Sequence, residues 1–268
     1  MPIVTLTTDF GADIYAAVMK GVILGINPRA VVVDITHSVH PQSVEEGAFL
    51  TQAAWPYFPQ GSIHIAVVDP GVGTERRALA LANSSGIFVG PDNGVLSAAL
   101  LQGARPDEAG PVPVPQGLRA VALTNPAYFR HLVSATFHGR DIFAPVAAHL
   151  SLGVPLGEMG EPVEALYALP PFWARRLADG SLVGRVVHID SFGNLVTDVL
   201  GEDLPGDRIA AEIAGRRVRG LSRAYQGGPE ILALVGSSGY LEVAVRNGSA
   251  AALLGVGLGA AVTVYGAS

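Results

Sequence analysis

The chain contains no cysteine. That absence excludes a disulfide frame, a thiolate metal site and a cysteine nucleophile. Lysine occurs once, at Lys20, so nearly all the positive charge is arginine, a planar forked donor that stays ionised. Charged residues make up 15% of the 268, against about 25% in an average soluble domain. So thin a charged coat reads as surface buried between subunits, or else as the low-charge surface of a monomer. The formal net charge is −6, and the densest basic run is Arg216-Arg217-Val218-Arg219. Phosphate recognition needs a basic footprint, so no nucleic-acid partner is expected and that run reads as a solvated strand face. No apolar run reaches the ~18 residues of a spanning helix, so no membrane span is expected. Met1-Pro2-Ile3-Val4-Thr5 lacks the charged-then-apolar order of a signal peptide. A cytoplasmic protein is the default expectation.

What is present is apolar material, 49% of the chain, in two patterns. The first half alternates strand and helix signals. Strands are predicted at Ile3–Thr8, Ala30–Ile35, Ser62–Val68, Ala78–Ala82, Ile87–Val89 and Arg119–Leu123. Ile14, Val18, Val22 and Ile26 recur every four residues and predict a helix stopped by Asn27-Pro28. Ser43-Val44-Glu45-Glu46 fits a capping box opening a helix that ends near Trp55. Further helices are predicted at Val95–Leu101 and Asp141–Leu150, and Pro106–Pro115 reads as a Pro-rich connection. From Leu182 onward helix signals vanish, and short apolar runs alternate with Gly and polar turns. The fold expected is an α/β N-terminal domain, a mixed and largely parallel sheet with helices on both faces, followed by a smaller all-β C-terminal barrel. The boundaries fall at 1–165, a 166–180 linker containing Pro170-Pro171, and 181–268.

Asp9 and Asp69 each end a predicted strand, where ligands of α/β sheets sit. Asp9 reads either as a carboxylate for the two hydroxyls of a ribose or as a helix N-cap. Asp69 opens Asp69-Pro70-Gly71-Val72-Gly73-Thr74-Glu75-Arg76-Arg77, a turn followed by two guanidinium groups. His138, in Thr136-Phe137-His138-Gly139-Arg140-Asp141, is either structural or a partner to that acid. His37 and His40 lack a third ligand at metal spacing, so no metal site is expected. Neither nucleotide-binding glycine fingerprint is met, and no GxSxG is present. In the β half, Asp190-Ser191-Phe192-Gly193-Asn194 and Gly236-Ser237-Ser238-Gly239-Tyr240-Leu241-Glu242 are turns with polar side chains. These patterns reach a small polar ligand and no particular reaction.

Taken together the segments go further. Thr8-Asp9-Phe10-Gly11, Val44-Glu45-Glu46-Gly47-Ala48, Val68-Asp69-Pro70-Gly71-Val72-Gly73-Thr74, Pro91-Asp92-Asn93-Gly94, Thr136-Phe137-His138-Gly139-Arg140-Asp141, Asp190-Ser191-Phe192-Gly193-Asn194 and Ser237-Ser238-Gly239-Tyr240-Leu241 occur in order across nearly the whole chain. In this the sequence resembles the S-adenosyl-L-methionine hydroxide adenosyltransferase family, relatives of fluorinating and chlorinating adenosyl enzymes. The resemblance implies hydrolysis of S-adenosyl-L-methionine (SAM) to adenosine and methionine, with selectivity for the (R)-sulfonium epimer. It implies no cofactor beyond the substrate. Asp69, Arg76 and His138 match the triad around the water nucleophile, and Asp9 matches the ribose carboxylate. Phe192 matches an aromatic on adenine, Asn194 a purine contact, and Asp190 and Ser237 contacts to the amino acid end. Glu242 and the Val245 backbone belong to the segment lining the rest of the site, and Tyr225 to a second aromatic wall. Ser238 stands where the halogenating relatives have an arginine, and Gly139 where the fluorinating ones have a serine. Asp69 and Val72 replace their hydroxylated aromatic and threonine, and a carboxylate there would repel a halide. A homotrimer with its pocket at the subunit interface is also implied. The competing readings are a non-catalytic adenosine or SAM sensor and a halogenase.

Overall fold

The computed structural model describes residues 1–100, 105–226 and 230–266, divided into two compact units, Met1–Pro171 and Phe172–Ser268. In the first unit the strands are β1 (Ile3–Thr8), β2 (Val31–Thr36), β3 (Ser62–Val67), β4 (Ala78–Ala82), β5 (Gly86–Pro91), β6 (Gly110–Pro113), β7 (Arg119–Leu123), β8 (Gly160–Pro162) and β9 (Ala165–Ala168). Seven of the described strands form one sheet in the order β2-β1-β3-β5-β4-β7-β8. The β2, β1, β3 and β5 neighbours pair in parallel, and β4, β7 and β8 pair antiparallel with theirs.

The parallel strands read as unbroken apolar runs because both faces are covered. On one face Val4, Leu6, Ile63, Ile65 and Val67 pack with Met19 and Ile23 of helix α1 (Tyr15–Ile26) and Val146 of α3 (Ala144–Ser151). On the other, Ala66, Val68, Leu79 and Phe88 pack with Val44 and Leu50 of α2 (Val44–Ala54). The chain leaves β1 to build β2 on one side, then returns to place β3 on the other. The carboxyl ends of β1 and β3 therefore flank the crevice where the strand order reverses, the place where such sheets bind ligands. Asp9 and Asp69 lie there.

Several local expectations shift. Ser43 is the N-cap of α2, but its hydroxyl makes no capping bond, and Glu46 turns to the His40 backbone instead. Val95–Ala99 is a 3-10 turn; Leu101, at the end of the predicted helix, lies outside the described residues. The helix predicted from Asp141 begins as a π-turn over Gly139–Phe143 before α3 takes over. The Pro-rich connection holds β6, which pairs with β9 as a separate two-stranded ribbon.

The second unit contains β10 (Arg175–Arg176), β11 (Leu182–Ile189), β12 (Leu195–Leu200), β13 (Ile209–Ile213), β14 (Arg216–Arg219), β15 (Ile231–Val235), β16 (Tyr240–Val245) and β17 (Ala261–Gly266). They form one antiparallel sheet in the order β14-β13-β17-β11-β12-β16-β15, with β10 beside β11. A bridge from Leu221 to Ala233 brings its two ends together, so the sheet nearly closes into a barrel. Leu182, Val186, Leu195, Val199, Leu241, Val243, Val262 and Val264 fill it. One short helix departs from the all-β expectation: α4 (Ala250–Leu254), capped by Ser249, whose hydroxyl accepts the Ala252 N–H, and ended by Gly255 at φ 65°.

Candidate active site

In the first unit the Asp69 turn and the His138 segment meet because of one glycine. Gly73 has φ +77°, and a Cβ there would lie 2.2 Å from the Ala135 carbonyl oxygen. Only glycine permits that approach. It brings Arg76 between an acid and a ring. Arg76 Nε donates to Asp69 Oδ1 at 2.9 Å and Nη2 to Oδ2 at 2.5 Å. The same Nη2 lies 2.6 Å from His138 Nδ1. The Asp69 and Arg76 side chains are 5% and 11% exposed, so the pair is largely withdrawn from water. The neighbouring guanidinium serves the frame: Arg77 binds Asp92 and the Ala165 carbonyl.

Arginine has donors and no acceptor. His138 Nδ1 must therefore accept, which leaves the proton of the neutral ring on Nε2. Burial lowers the His138 pKa, as does the Arg76 charge, against the opposing pull of Asp69 and Asp141. His138 caps the π-turn, a feature common at functional sites. Behind it Asp141 is buried; it pairs with Arg140 and accepts the Ser134 N–H at 2.9 Å, which ties down the preceding loop.

Asp9, Asp69 and His138 line one cleft of about 300 Å³, together with Phe10, Gln42 and Phe137. Asp9 accepts the Gln42 N–H at 2.8 Å through Oδ2. Phe10, Tyr15 and Phe137 make mutual ring contacts with centroids 5.2–5.8 Å apart. Phe10 and Phe137 stand inside the sequence motifs but carry no role there. Gln42 could not have been found, because it contributes its backbone.

The second unit has its own pocket, about 490 Å³, lined by Asp190, Phe192, Asn194, Tyr225 and Val245, with Asn247 and Gly248 added by the structure. Asp190 builds the loop. Its Oδ1 accepts the Phe192 and Asn194 N–H groups, each at 2.9 Å, and Oδ2 accepts Asn194 Nδ2 at 2.8 Å. Asn194 is buried while Phe192 is 77% exposed, a large ring presented to whatever enters. Tyr225 donates to Glu242 Oε2 at 2.8 Å. Burial raises the Glu242 pKa and Asp190 adds to it, although the tyrosine hydrogen bond works the other way. Burial and the same carboxylate push Tyr225 up to about 12, so it remains a donor. Glu242 stands behind Tyr225, and Ser237 and Ser238 are exposed on the β15–β16 turn, outside that lining.

Among the described residues, no group of three or more His, Asp or Glu side chains is placed to hold a metal ion, and no helix is long and apolar enough to cross a membrane.

Comparison with known proteins decides the ancestry. The family model for the SAM hydroxide adenosyltransferase N-terminal domain matches residues 4–160, and that for its C-terminal domain matches residues 184–263. The chain belongs to the SAM hydroxide adenosyltransferase family. Within that family, the (R)-S-adenosyl-L-methionine hydrolase of Salinispora tropica is 44% identical over 95% of this chain and 94% of its own. The protein of the same name from Thermus thermophilus is 42% identical over 93% and 94%. A crystal structure of an uncharacterized conserved protein from Thermotoga maritima superposes with TM-score 0.84 at 31% identity, covering 98% of this chain and 99% of that one.

Proposed function

We propose that this protein is a SAM hydrolase in which water attacks the ribose C5′ carbon and adenosine and L-methionine are released. The observation that carries the reading is the hydrogen-bonded set Asp69, Arg76 and His138, of which Asp69 and His138 line the crevice that also contains Asp9. The substrate is a sulfonium cation. The water oxygen forms a bond to C5′, the C5′–S bond breaks, and its electron pair goes to sulfur. The leaving group is a neutral thioether, so no general acid is needed. The water proton goes to the Asp69 carboxylate. Arg76 fixes that carboxylate through both oxygens, and His138 offers its Nε2–H to hold the water. Orienting the nucleophile can contribute about 7–11 kcal/mol, and fixed donors in a confined cleft take the place of solvent.

In this proposal Asp9 holds the ribose diol, Phe192 and Tyr225 flank adenine, and Asn194 reads the purine with the Val245 backbone. Asp190, Ser237, Ser238 and Glu242 serve the methionine end and the remaining wall. The (R)-sulfonium epimer named for the relatives is proposed as the substrate here too. The assembly proposed is a cytoplasmic homotrimer with no resident cofactor.

Incubating purified protein with epimerically resolved SAM tests the reading. Adenosine and methionine in equal amounts from the (R) epimer are expected. Intact SAM recovered after hours at saturating protein would instead identify a sensor. Added chloride or fluoride should give no 5′-halogenated nucleoside, because the Asp69 carboxylate would repel a halide. Sedimentation showing a fully active monomer would remove the trimer.

A further inference from the structure

We infer that Glu46 is a positioning residue for ribose recognition, acting through the Gln42 backbone on Asp9. The inference rests on the reading of Asp9 as the ribose carboxylate. Glu46 is 1% exposed on the first turn of α2, and a buried carboxylate is tolerated only where it is hydrogen-bonded. Its Oε2 accepts the His40 N–H at 2.7 Å and lies 2.8 Å from His40 Nδ1, with Oε1 at 3.1 Å. Both ends of one residue are thereby fixed. His40 in turn accepts the Ser43 N–H at 2.9 Å, which closes the turn. Two residues beyond His40, Gln42 sits at φ 65°, a left-handed conformation that a side-chain-bearing residue keeps only where its surroundings impose it. That conformation aims the Gln42 N–H at Asp9 Oδ2, 2.8 Å away. Gln42 also lines the cleft. A carboxylate that must meet two hydroxyls at once needs one fixed rotamer, and this relay supplies it.

Calorimetry with adenosine and 2′,3′-dideoxyadenosine reads the relay directly, because only adenosine carries the diol. Wild type should prefer adenosine by more than about tenfold, the worth of hydrogen bonds to a charged group. Glu46→Asp keeps the charge but loses the reach, and should bring the preference to within about threefold of parity. Glu46→Gln keeps both reach and an acceptor, and should retain most of it. On an Asp9→Asn background Glu46→Asp should change nothing further, since the two act in series. A merely structural glutamate would lower the melting temperature and leave the ratio untouched. The inference is overturned if folded Glu46→Asp keeps the wild-type preference, if Glu46→Gln loses it as fully as Asp does, or if the Asp9 and Glu46 effects add. Absence of any preference in wild type would instead overturn the ribose reading of Asp9, and this inference with it.

Discussion

The two clefts place their polar groups in opposite ways. In the α/β unit the acids are held by outside donors, Asp69 by Arg76 and Asp9 by the Gln42 backbone, and the cleft between them is small. In the β unit Asp190 spends its oxygens on its own loop, and what faces the larger pocket is mostly ring and aliphatic surface. The first arrangement fixes charge; the second offers area. Charge fixed in a confined cleft suits a transition state, whereas apolar area binds substrate and transition state alike. The difference predicts that damage at Asp69 or Arg76 falls on kcat, whereas damage to the second pocket falls on affinity, as does loss of the ribose contact at Asp9.

The strongest test of that division is Asp69→Asn. It removes the proposed proton acceptor without changing shape, and should lower kcat about 10²–10⁴-fold while adenosine affinity, by calorimetry, stays within about threefold. Next is Arg76→Lys. An ammonium cannot span both Asp69 oxygens and reach His138 as the fork does, so kcat should fall about 10²-fold, again with little change in binding. Phe192→Ala inverts the pattern. Loss of a stacking ring should cost about 1–3 kcal/mol of adenosine affinity and leave single-turnover rates at saturation nearly unchanged. Equal kcat losses from Phe192→Ala and Asp69→Asn would break the comparison.

Smaller effects come from pH. His138 has a lowered pKa, so it is neutral at neutral pH and gains a proton only below the ordinary histidine value near 6.5. Protonation puts a hydrogen on Nδ1 against the Arg76 donor. Activity should therefore hold as pH falls through 6.5 and decline at a lower midpoint, and His138→Asn should flatten that limb of the kcat profile. Stability should diverge between the units. Burial lowers His64 to about 4. The unfolded chain thus binds the extra proton between about 6.5 and 4, and stability present above that window is lost as pH falls through it, by at most about 3 kcal/mol. Glu242 has a raised pKa, so its contribution has the opposite sign: it is present at low pH and lost as pH rises through the folded value. Hydrogen exchange should show β1 and β3 losing protection in acid earlier than β12 and β16.

How legible this was in the sequence depends on whether a partner is a side chain or a backbone. Strand ends, the turn at Asp69 and the motif order carried the α/β architecture and brought Asp69, Arg76 and His138 under suspicion. Side-chain types alone do not distinguish Arg76 from Arg77; the resemblance selects Arg76, and in the structure Arg76 binds Asp69 while Arg77 binds Asp92. Glu46 matched a capping box because its spacing from Ser43 is the same whether it reaches back to the cap or across to His40. The Gln42 contribution has no side-chain signature at all. Helix α4 has a cap at each end, Ser249 and Gly255, but its five residues carry no apolar periodicity to mark it as a helix. Strand β6 was hidden by its prolines, which edge strands tolerate.

In the proposed reaction water, held by Asp69 and His138, attacks C5′. Running the reaction in ¹⁸O-labelled water and weighing both products decides it. One label in adenosine and none in methionine is the result expected. Unlabelled adenosine, or cleavage to a methylthio-nucleoside instead, would contradict it.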